Sequence, residues 1–117
     1  MGEVRRITRD ELKERLATDE PTTVVEALGP MYFEDAHIPG ALNLPHDHVD
    51  ELAPKLLADK DAVVVVYCSN AECQNSAVAS KRLARLGYTN VFEYEEGKQD
   101  WIDAGLPTES GQASRVG

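Results

Sequence analysis

Residues 62–67, AVVVVY, constrain the fold of this chain more than any other segment. They are apolar without alternation and rich in β-branched side chains, a pattern typical of a central strand covered on both faces. Shorter apolar segments occur before and after this strand, and segments of helical spacing lie between them. This alternation predicts an α/β domain built on a largely parallel sheet.

The remaining elements are predicted from apolar spacing and from capping or turn residues. Further strands are expected at residues 22–26, 41–44 and 91–94. A first helix is expected after the capping box of Thr8 and Glu11, and a second after Asp47 or Asp50, with Pro54 in its first turn. A third helix is expected from a cap at Asn75 or Ser76 to Gly87, and a fourth over residues 97–104. Beyond Pro107 the chain has almost nothing to bury, so we expect one domain over residues 1–108 and a disordered tail over residues 109–117.

The composition argues against several classes of function. The chain has 12 Lys and Arg against 21 Asp and Glu, a net charge of −9, and such a field repels nucleic-acid phosphates and anionic lipid surfaces. Its apolar runs are far shorter than the ~20 residues of a membrane helix, and residues 1–10 contain no apolar segment of a secretory signal. We therefore expect a cytoplasmic protein that binds neither nucleic acid nor membrane. Its two cysteines are then left for metal binding, redox chemistry, nucleophilic chemistry or packing.

Cys68 directly follows the central strand, and residues 69–74 lead from it into a helix. In an open α/β sheet, ligands bind just outside the carboxyl ends of the strands, where a helix N-terminus presents unpaired N–H groups. Such amides stabilise a thiolate, so we predict a nucleophile whose pKa lies below the ~8.5 of a free thiol. The alternative is a cysteine that packs at the strand end as a small hydrophobe.

Four segments resemble the rhodanese-like domain in sequence, order and spacing: AHIPGALNLP at residues 36–45, VVVVYC at 63–68, LARLGYTNVFEYEEGKQDW at 83–101 and AGLP at 104–107. The resemblance covers about residues 4–108. It implies a central, mostly parallel five-stranded sheet flanked by helices on both faces. It also implies a sulfurtransferase in which Cys68 takes a sulfane sulfur from a donor such as thiosulfate, becomes a persulfide, and passes the sulfur to a thiophilic acceptor.

The resemblance further implies the partners and the binding groups. The partners are small sulfur donors and thiol acceptors, including a protein acceptor, and the chemistry requires no metal and no organic cofactor. In similar proteins the backbone amides of the loop after the cysteine form an anion-binding cradle. In this chain that loop consists of Ser69, Asn70, Ala71, Glu72, Cys73 and Gln74.

The loop departs from the pattern of the family it resembles. It is about two residues longer than usual and contains neither Arg nor Lys. Asn75 stands where alignment from the helix side would put the family's arginine, and Glu72 adds a negative charge. Upstream, residues 26–28, Glu-Ala-Leu, replace the common Asp-x-Arg. Phosphatases and arsenate reductases of this fold retain an arginine that grips the oxyanion, so these activities are disfavoured.

The second cysteine leaves two alternatives to a sulfurtransferase open. Cys73 lies five residues after Cys68, and a loop curled around an anion would bring the two thiols within disulfide reach. One alternative is a thiol redox protein or reductase in which Cys73 resolves a persulfide or sulfenate on Cys68. The other is a non-catalytic module that binds a partner or senses oxidants. The histidines His37, His46 and His48 are interpreted as structural or surface residues.

Overall fold

The computed structural model describes residues 3–111, which form five strands and five helices. The strands are Val4–Arg6 (β1), Thr23–Glu26 (β2), Leu42–Asn43 (β3), Val63–Tyr67 (β4) and Asn90–Tyr94 (β5). The helices are Arg9–Leu16 (α1), Pro30–Asp35 (α2), Val49–Leu56 (α3), Asn75–Arg85 (α4) and Gly97–Asp103 (α5). Within the described chain, no helix has the length and apolar character needed to cross a membrane.

The five strands form one parallel sheet in the order β1-β5-β4-β2-β3. The central strand predicted at residues 62–67 is β4, which lies at the centre of the sheet and pairs with β2 and β5. Because every strand is parallel, all carboxyl ends meet at one edge of the sheet, which receives Cys68 and the loop after it. The α/β fold with a parallel five-stranded sheet is thereby confirmed.

Both faces of the sheet are covered by helices. Alternate side chains of β4 point to opposite layers: Val64 and Val66 pack with α3 and α4, whereas Val65 and Tyr67 pack with α1, α2 and α5. This double coverage explains why the strand is apolar at every position. The helices on the second layer contribute large anchors, among them Phe33 of α2 and Trp101 of α5.

Two helical details differ from the sequence predictions. Pro54 is the sixth residue of α3 rather than part of its first turn, because α3 begins at Val49 to bury Val49 and Ala53 in the core. The short helix α2 was not predicted, since six residues carry too little periodicity to indicate a helix. The capping box of Thr8 and Glu11 is present at the start of α1.

Residues 109–111, which follow the predicted domain boundary at residue 108, are hydrogen-bonded to the rest of the domain. The N–H of His37 donates to the carbonyl of Glu109 and the N–H of Glu109 to that of His37, both at 2.8 Å. The N–H of Gly111 donates to the carbonyl of Glu34 at 2.7 Å. Residues 109–111 therefore belong to the fold, because they add a bridge to the turn at His37; the rest of the predicted tail, residues 112–117, lies outside the described residues.

Candidate active site

The backbone of Cys68 is fixed by the start of α5. The carbonyl of Cys68 accepts from the N–H of Lys98 at 2.7 Å, and the carbonyl of Ser69 accepts from the N–H of Gln99 at 2.8 Å. Gly97 has a φ of +77°, and a Cβ there would lie 2.8 Å from the Cys68 carbonyl oxygen and 2.8 Å from the Asn70 nitrogen. Only glycine therefore lets α5 approach the loop this closely.

The Cys68 sulfur lies in a fully buried environment of oxygen acceptors. The Cys68 side chain is inaccessible to solvent, and its thiol lies 3.4 Å from the Cys73 carbonyl oxygen and 3.4 Å from Ser76 Oγ. The Ser76 hydroxyl donates in turn to Glu93 Oε2 at 2.7 Å. Ser76 therefore links the Cys68 thiol to the Glu93 carboxylate.

This environment corrects the predicted acidity of Cys68. Burial, followed by its hydrogen bond with Cys73, raises the pKa of Cys68 to about 11, although contacts with the hydroxyl and amide of Ser76 lower it. The prediction of a pKa below that of a free thiol was wrong for this residue, because burial outweighs the few donors around its sulfur.

The side chain of Asn70 organises the loop from within. Its Oδ1 accepts from the N–H of Glu72 at 3.0 Å and from the N–H of Cys73 at 3.1 Å. Two of the six amides predicted to cradle an anion at Cys68 are therefore engaged inside the loop in an Asx-type turn. The side chain of Glu72 is exposed.

Cys73 lies beside Cys68 in a different environment. Cys73 is half-buried, and its carbonyl oxygen lies 3.4 Å from the Cys68 sulfur. Burial raises the pKa of Cys73, but hydrogen bonding with the Cys68 thiol, the amides of Asn75 and Ser69 and the Ser69 hydroxyl lowers it overall. The two cysteines are therefore neighbours whose pKa values shift in opposite directions.

In the first turn of α4, the Ser76 side chain contacts Cys68 instead of capping the helix. The residue before α4 is Gln74, which makes no side-chain capping hydrogen bond. Of the two predicted cap residues, Asn75 is the first residue of the helix, and Ser76 is buried against Cys68 and Glu93. Glu93 was missed by sequence reasoning, although a carboxylate on a strand of the sheet between apolar neighbours is a detectable signal.

A second buried network lies at the same edge of the sheet. Glu26, at the end of β2, is inaccessible to solvent; its Oε1 accepts from the Tyr67 hydroxyl at 2.7 Å and its Oε2 lies 3.3 Å from Lys98 Nζ. The Lys98 ammonium also donates to the carbonyls of Tyr32 and Ala36, at 3.0 and 2.6 Å. Sequence reasoning singled out Glu26 but missed its partner Lys98, whose ammonium is committed to this network.

The histidines take no part in this site. His37 is buried, stacks on Phe33 and contacts the Phe33 carbonyl through Nδ1 at 2.8 Å, in agreement with a structural role. His46 and His48 line an open groove between α3 and α4, and residues 68–74 do not contribute to its lining. Among residues 3–111, no three His, Cys, Asp or Glu side chains are grouped so as to hold a metal ion.

The sequence of this chain is similar to those of several characterised or named proteins. It is 34% identical over 105 residues to the HTH-type transcriptional regulator Rv0324 of Mycobacterium tuberculosis, a match that covers 90% of this chain and 45% of the regulator. It is 34% identical over 62 residues to the thiosulfate sulfurtransferase PspE of Escherichia coli, covering 53% of this chain and 58% of PspE. The chain thus spans about half the length of these curated relatives.

The fold also matches solved structures. The crystal structure of the BH2092 protein from Bacillus halodurans superposes with a TM-score of 0.83 at 24% identity, covering 91% of this chain and 77% of that one. The family model of the Rhodanese-like domain matches residues 8–104, which include every element from α1 to α5. With Cys68 at the carboxyl end of β4 and the family match over most of its length, the chain belongs to the rhodanese-like domain family.

Proposed function

We propose that this domain is a sulfurtransferase that carries a sulfane sulfur as a persulfide on Cys68 and passes it to a thiophilic acceptor. The observation that carries this proposal is the position of Cys68 immediately after β4, with the loop residue Cys73 and the first turn of α4 beside its sulfur. The similarity to a protein named thiosulfate sulfurtransferase supports it.

The chemistry consists of two displacements at sulfur. A thiolate attacks the sulfane sulfur of a donor such as thiosulfate, and sulfite leaves with the electron pair of the broken S–S bond. An acceptor thiolate or cyanide then attacks the outer sulfur of the persulfide and releases the cysteine. These steps call for no organic cofactor or metal, and the proposed substrates are small sulfur donors and thiol acceptors, including a thiol of another protein.

Mass spectrometry of the intact protein after incubation with thiosulfate tests the proposal. The wild type should gain one sulfur atom, peptide mapping should place it on Cys68, and cyanide should remove it as thiocyanate. The double variant Cys68→Ser/Cys73→Ser is the matched control and should gain nothing. If the wild type gains no sulfur, the sulfurtransferase proposal fails; loss of two hydrogens instead would indicate a thiol redox protein that uses Cys68 and Cys73 as a pair.

A second candidate function is a non-catalytic module that responds to sulfane sulfur or oxidants without turnover. The observation in its favour is the 34% identity to a protein named a transcriptional regulator, across 90% of this chain. The two candidates differ in the second displacement. A sensor would load sulfur once and hold it against cyanide and small thiols, whereas a sulfurtransferase would produce thiocyanate through many cycles.

A further inference from the structure

We propose that the exposed face of α2 is a docking surface for a basic protein that brings its thiol to the persulfide on Cys68. This face consists of Met31, Tyr32, Glu34 and Asp35. The inference rests on the proposed function and names the class of its acceptor, a protein with cationic side chains around an apolar one. Sulfur transfer to such a partner uses contacts that a small thiol cannot make.

The first argument is the exposure of two large apolar side chains in succession. Met31 is 83% exposed and Tyr32 is 64% exposed, the two highest values among the large hydrophobic side chains of residues 3–111. The core contact of α2 is made by Phe33, which is buried and stacks on His37 with the ring centroids 3.8 Å apart. The fold therefore does not use Met31 and Tyr32 for packing. An exposed apolar patch rimmed by polar residues is typical of a protein-binding site.

The second argument is the connection between α2 and Cys68. Because α2 follows β2 after three residues, it lies at the carboxyl edge of the sheet, the edge that also holds Cys68. Lys98 contacts both: its N–H donates to the Cys68 carbonyl at 2.7 Å, and its ammonium donates to the Tyr32 carbonyl at 3.0 Å. The length of one buried lysine therefore links the backbone of the docking surface to that of the nucleophile. A surface held in this way loses little conformational freedom when a partner binds.

The third argument is charge, which determines the kind of partner. Glu34 and Asp35 follow the apolar pair and are exposed, and within residues 3–111 neither carboxylate is paired with a Lys, Arg or His side chain. In the loop after Cys68, Glu72 is exposed as well. Such a surface attracts cationic side chains and repels anionic ones, so the partner that fits it is basic.

The same charges argue against a second copy of this chain as the occupant. In a two-fold contact through α2, Glu34 and Asp35 of one copy would face the acidic residues of the other. Each copy also has a net charge of −9, so the approach itself is repulsive. An anionic lipid surface is repelled for the same reason.

The transfer itself needs no further reagent. The thiolate of the docked acceptor attacks the outer sulfur of the protonated persulfide, and a new S–S bond forms to the acceptor sulfur. The bond between the outer sulfur and Cys68 breaks, and Cys68 leaves with the electron pair as a thiolate. The acceptor now holds the persulfide with its proton, and Cys68 is free for another donor.

Sulfur release to two synthetic peptides tests the proposal. The basic peptide has one cysteine beside a leucine and several lysines, and the acidic peptide has glutamates in place of the lysines. The wild type, loaded with sulfane sulfur and freed of the donor, should pass its sulfur faster to the basic peptide, and high salt should reduce the difference. Equal rates for the two peptides at low salt would overturn the assignment of a basic partner.

Variants of the apolar pair test the surface itself. In Met31→Ser/Tyr32→Ser, the rate with the basic peptide divided by the rate with cyanide should fall roughly tenfold, which corresponds to about 1.4 kcal/mol of lost apolar contact. Val78→Ser is the matched control, because Val78 is an apolar side chain of α4 that is 49% exposed in the opposite layer. It should keep the wild-type ratio. An unchanged ratio in the Met31→Ser/Tyr32→Ser variant would overturn the proposal.

Direct binding separates the docking surface from the sulfur chemistry. The same peptides, labelled and with serine in place of cysteine, are titrated by fluorescence anisotropy. The wild type should bind the basic peptide more tightly than Met31→Ser/Tyr32→Ser does, and Glu34→Gln/Asp35→Asn should reduce the preference for the basic peptide. Equal binding by the wild type and the apolar double variant would overturn the docking surface. If the peptide binds through α2 but the wild type never loads sulfur, the proposed function is at fault and the docking surface stands. A dimer in sedimentation that is lost in Met31→Ser/Tyr32→Ser would replace the basic protein by a second copy.

Discussion

Replacing Lys98 by methionine should destabilise the domain strongly while preserving the volume of the side chain. Lys98 Nζ lies 3.3 Å from Glu26 Oε2 and donates to the carbonyls of Tyr32 and Ala36 at 3.0 and 2.6 Å. Glu26 is inaccessible to solvent, so the methionine variant leaves a buried carboxylate without its cation.

The magnitude follows from the burial of the pair. Removing one partner of a buried ion pair costs about 3–5 kcal/mol, a large part of the roughly 5–15 kcal/mol by which a domain of this size is stable. The hydrogen bond that Tyr67 donates to Glu26, at 2.7 Å, remains in the variant and keeps the cost from being larger. The double variant Glu26→Gln/Lys98→Met removes the unpaired charge and should regain most of the loss, because a neutral amide oxygen can still accept from Tyr67.

The loss of stability in Lys98→Met should also increase with pH. Burial raises the pKa of Glu26 above its ordinary 4.5, although hydrogen bonds and the charge of Lys98 lower it. When the native pKa is raised, the native state holds a proton that the unfolded state has lost, so stability falls as pH rises from 4.5 through the native pKa. Without Lys98 the native pKa rises further, and the deficit of the variant therefore grows with pH.

Urea unfolding followed by circular dichroism, at about pH 5 and about pH 7.5, measures both effects. The difference in unfolding free energy between wild type and Lys98→Met should be larger at the higher pH, and the double variant should show little of this dependence. A difference that is equal at both pH values would refute the reasoning, because it would mean that Glu26 does not carry the penalty.

Three further predictions concern the loop and its neighbours. Gly97→Ala should lower the melting temperature more than Gly105→Ala, since both glycines have positive φ but only at Gly97 would a Cβ meet backbone within 3 Å. Glu93→Gln, in the single-cysteine background that retains Cys68, should lower the pH midpoint of Cys68 alkylation, because it removes a nearby negative charge. Glu72→Gln should lower the KM for thiosulfate roughly two- to fivefold, and high salt should shrink this effect, as for any exposed charge; an unchanged KM would show that Glu72 does not face the donor.

The sequence predicted the sheet well where burial alone determines the structure. Residues 62–67 could be placed at its centre because a strand covered on both faces must be apolar throughout. By contrast, β1 contributes only three residues at the sheet edge, two of them exposed arginines, so its pairing with β5 leaves no apolar pattern to detect.

The sequence predicted the place of Cys68 in the fold, but not the hydrogen bonds of the loop that follows it. The topology alone carries Cys68 to the carboxyl edge of the sheet, so its location could be inferred from a strand followed by a loop. How many amides remain for an anion at Cys68 depends on how the loop turns, and the Asn70 side chain accepts from two of them, the amides of Glu72 and Cys73. An amide that is bound inside the loop is not available to an anion. Such side-chain to backbone hydrogen bonds follow no periodic pattern, so the sequence did not predict them.

The charge of the donor should matter more in this loop than in one that contains a cation. Residues 69–74 contain neither Lys nor Arg, and the whole chain has a net charge of −9. If the proposed function holds, a donor is therefore repelled in proportion to its own negative charge. We expect donors of low charge, such as persulfides, to load Cys68 faster than thiosulfate at low ionic strength. High salt should reduce this difference, because it screens exposed charges; an equal rate for both kinds of donor at low salt would contradict the argument.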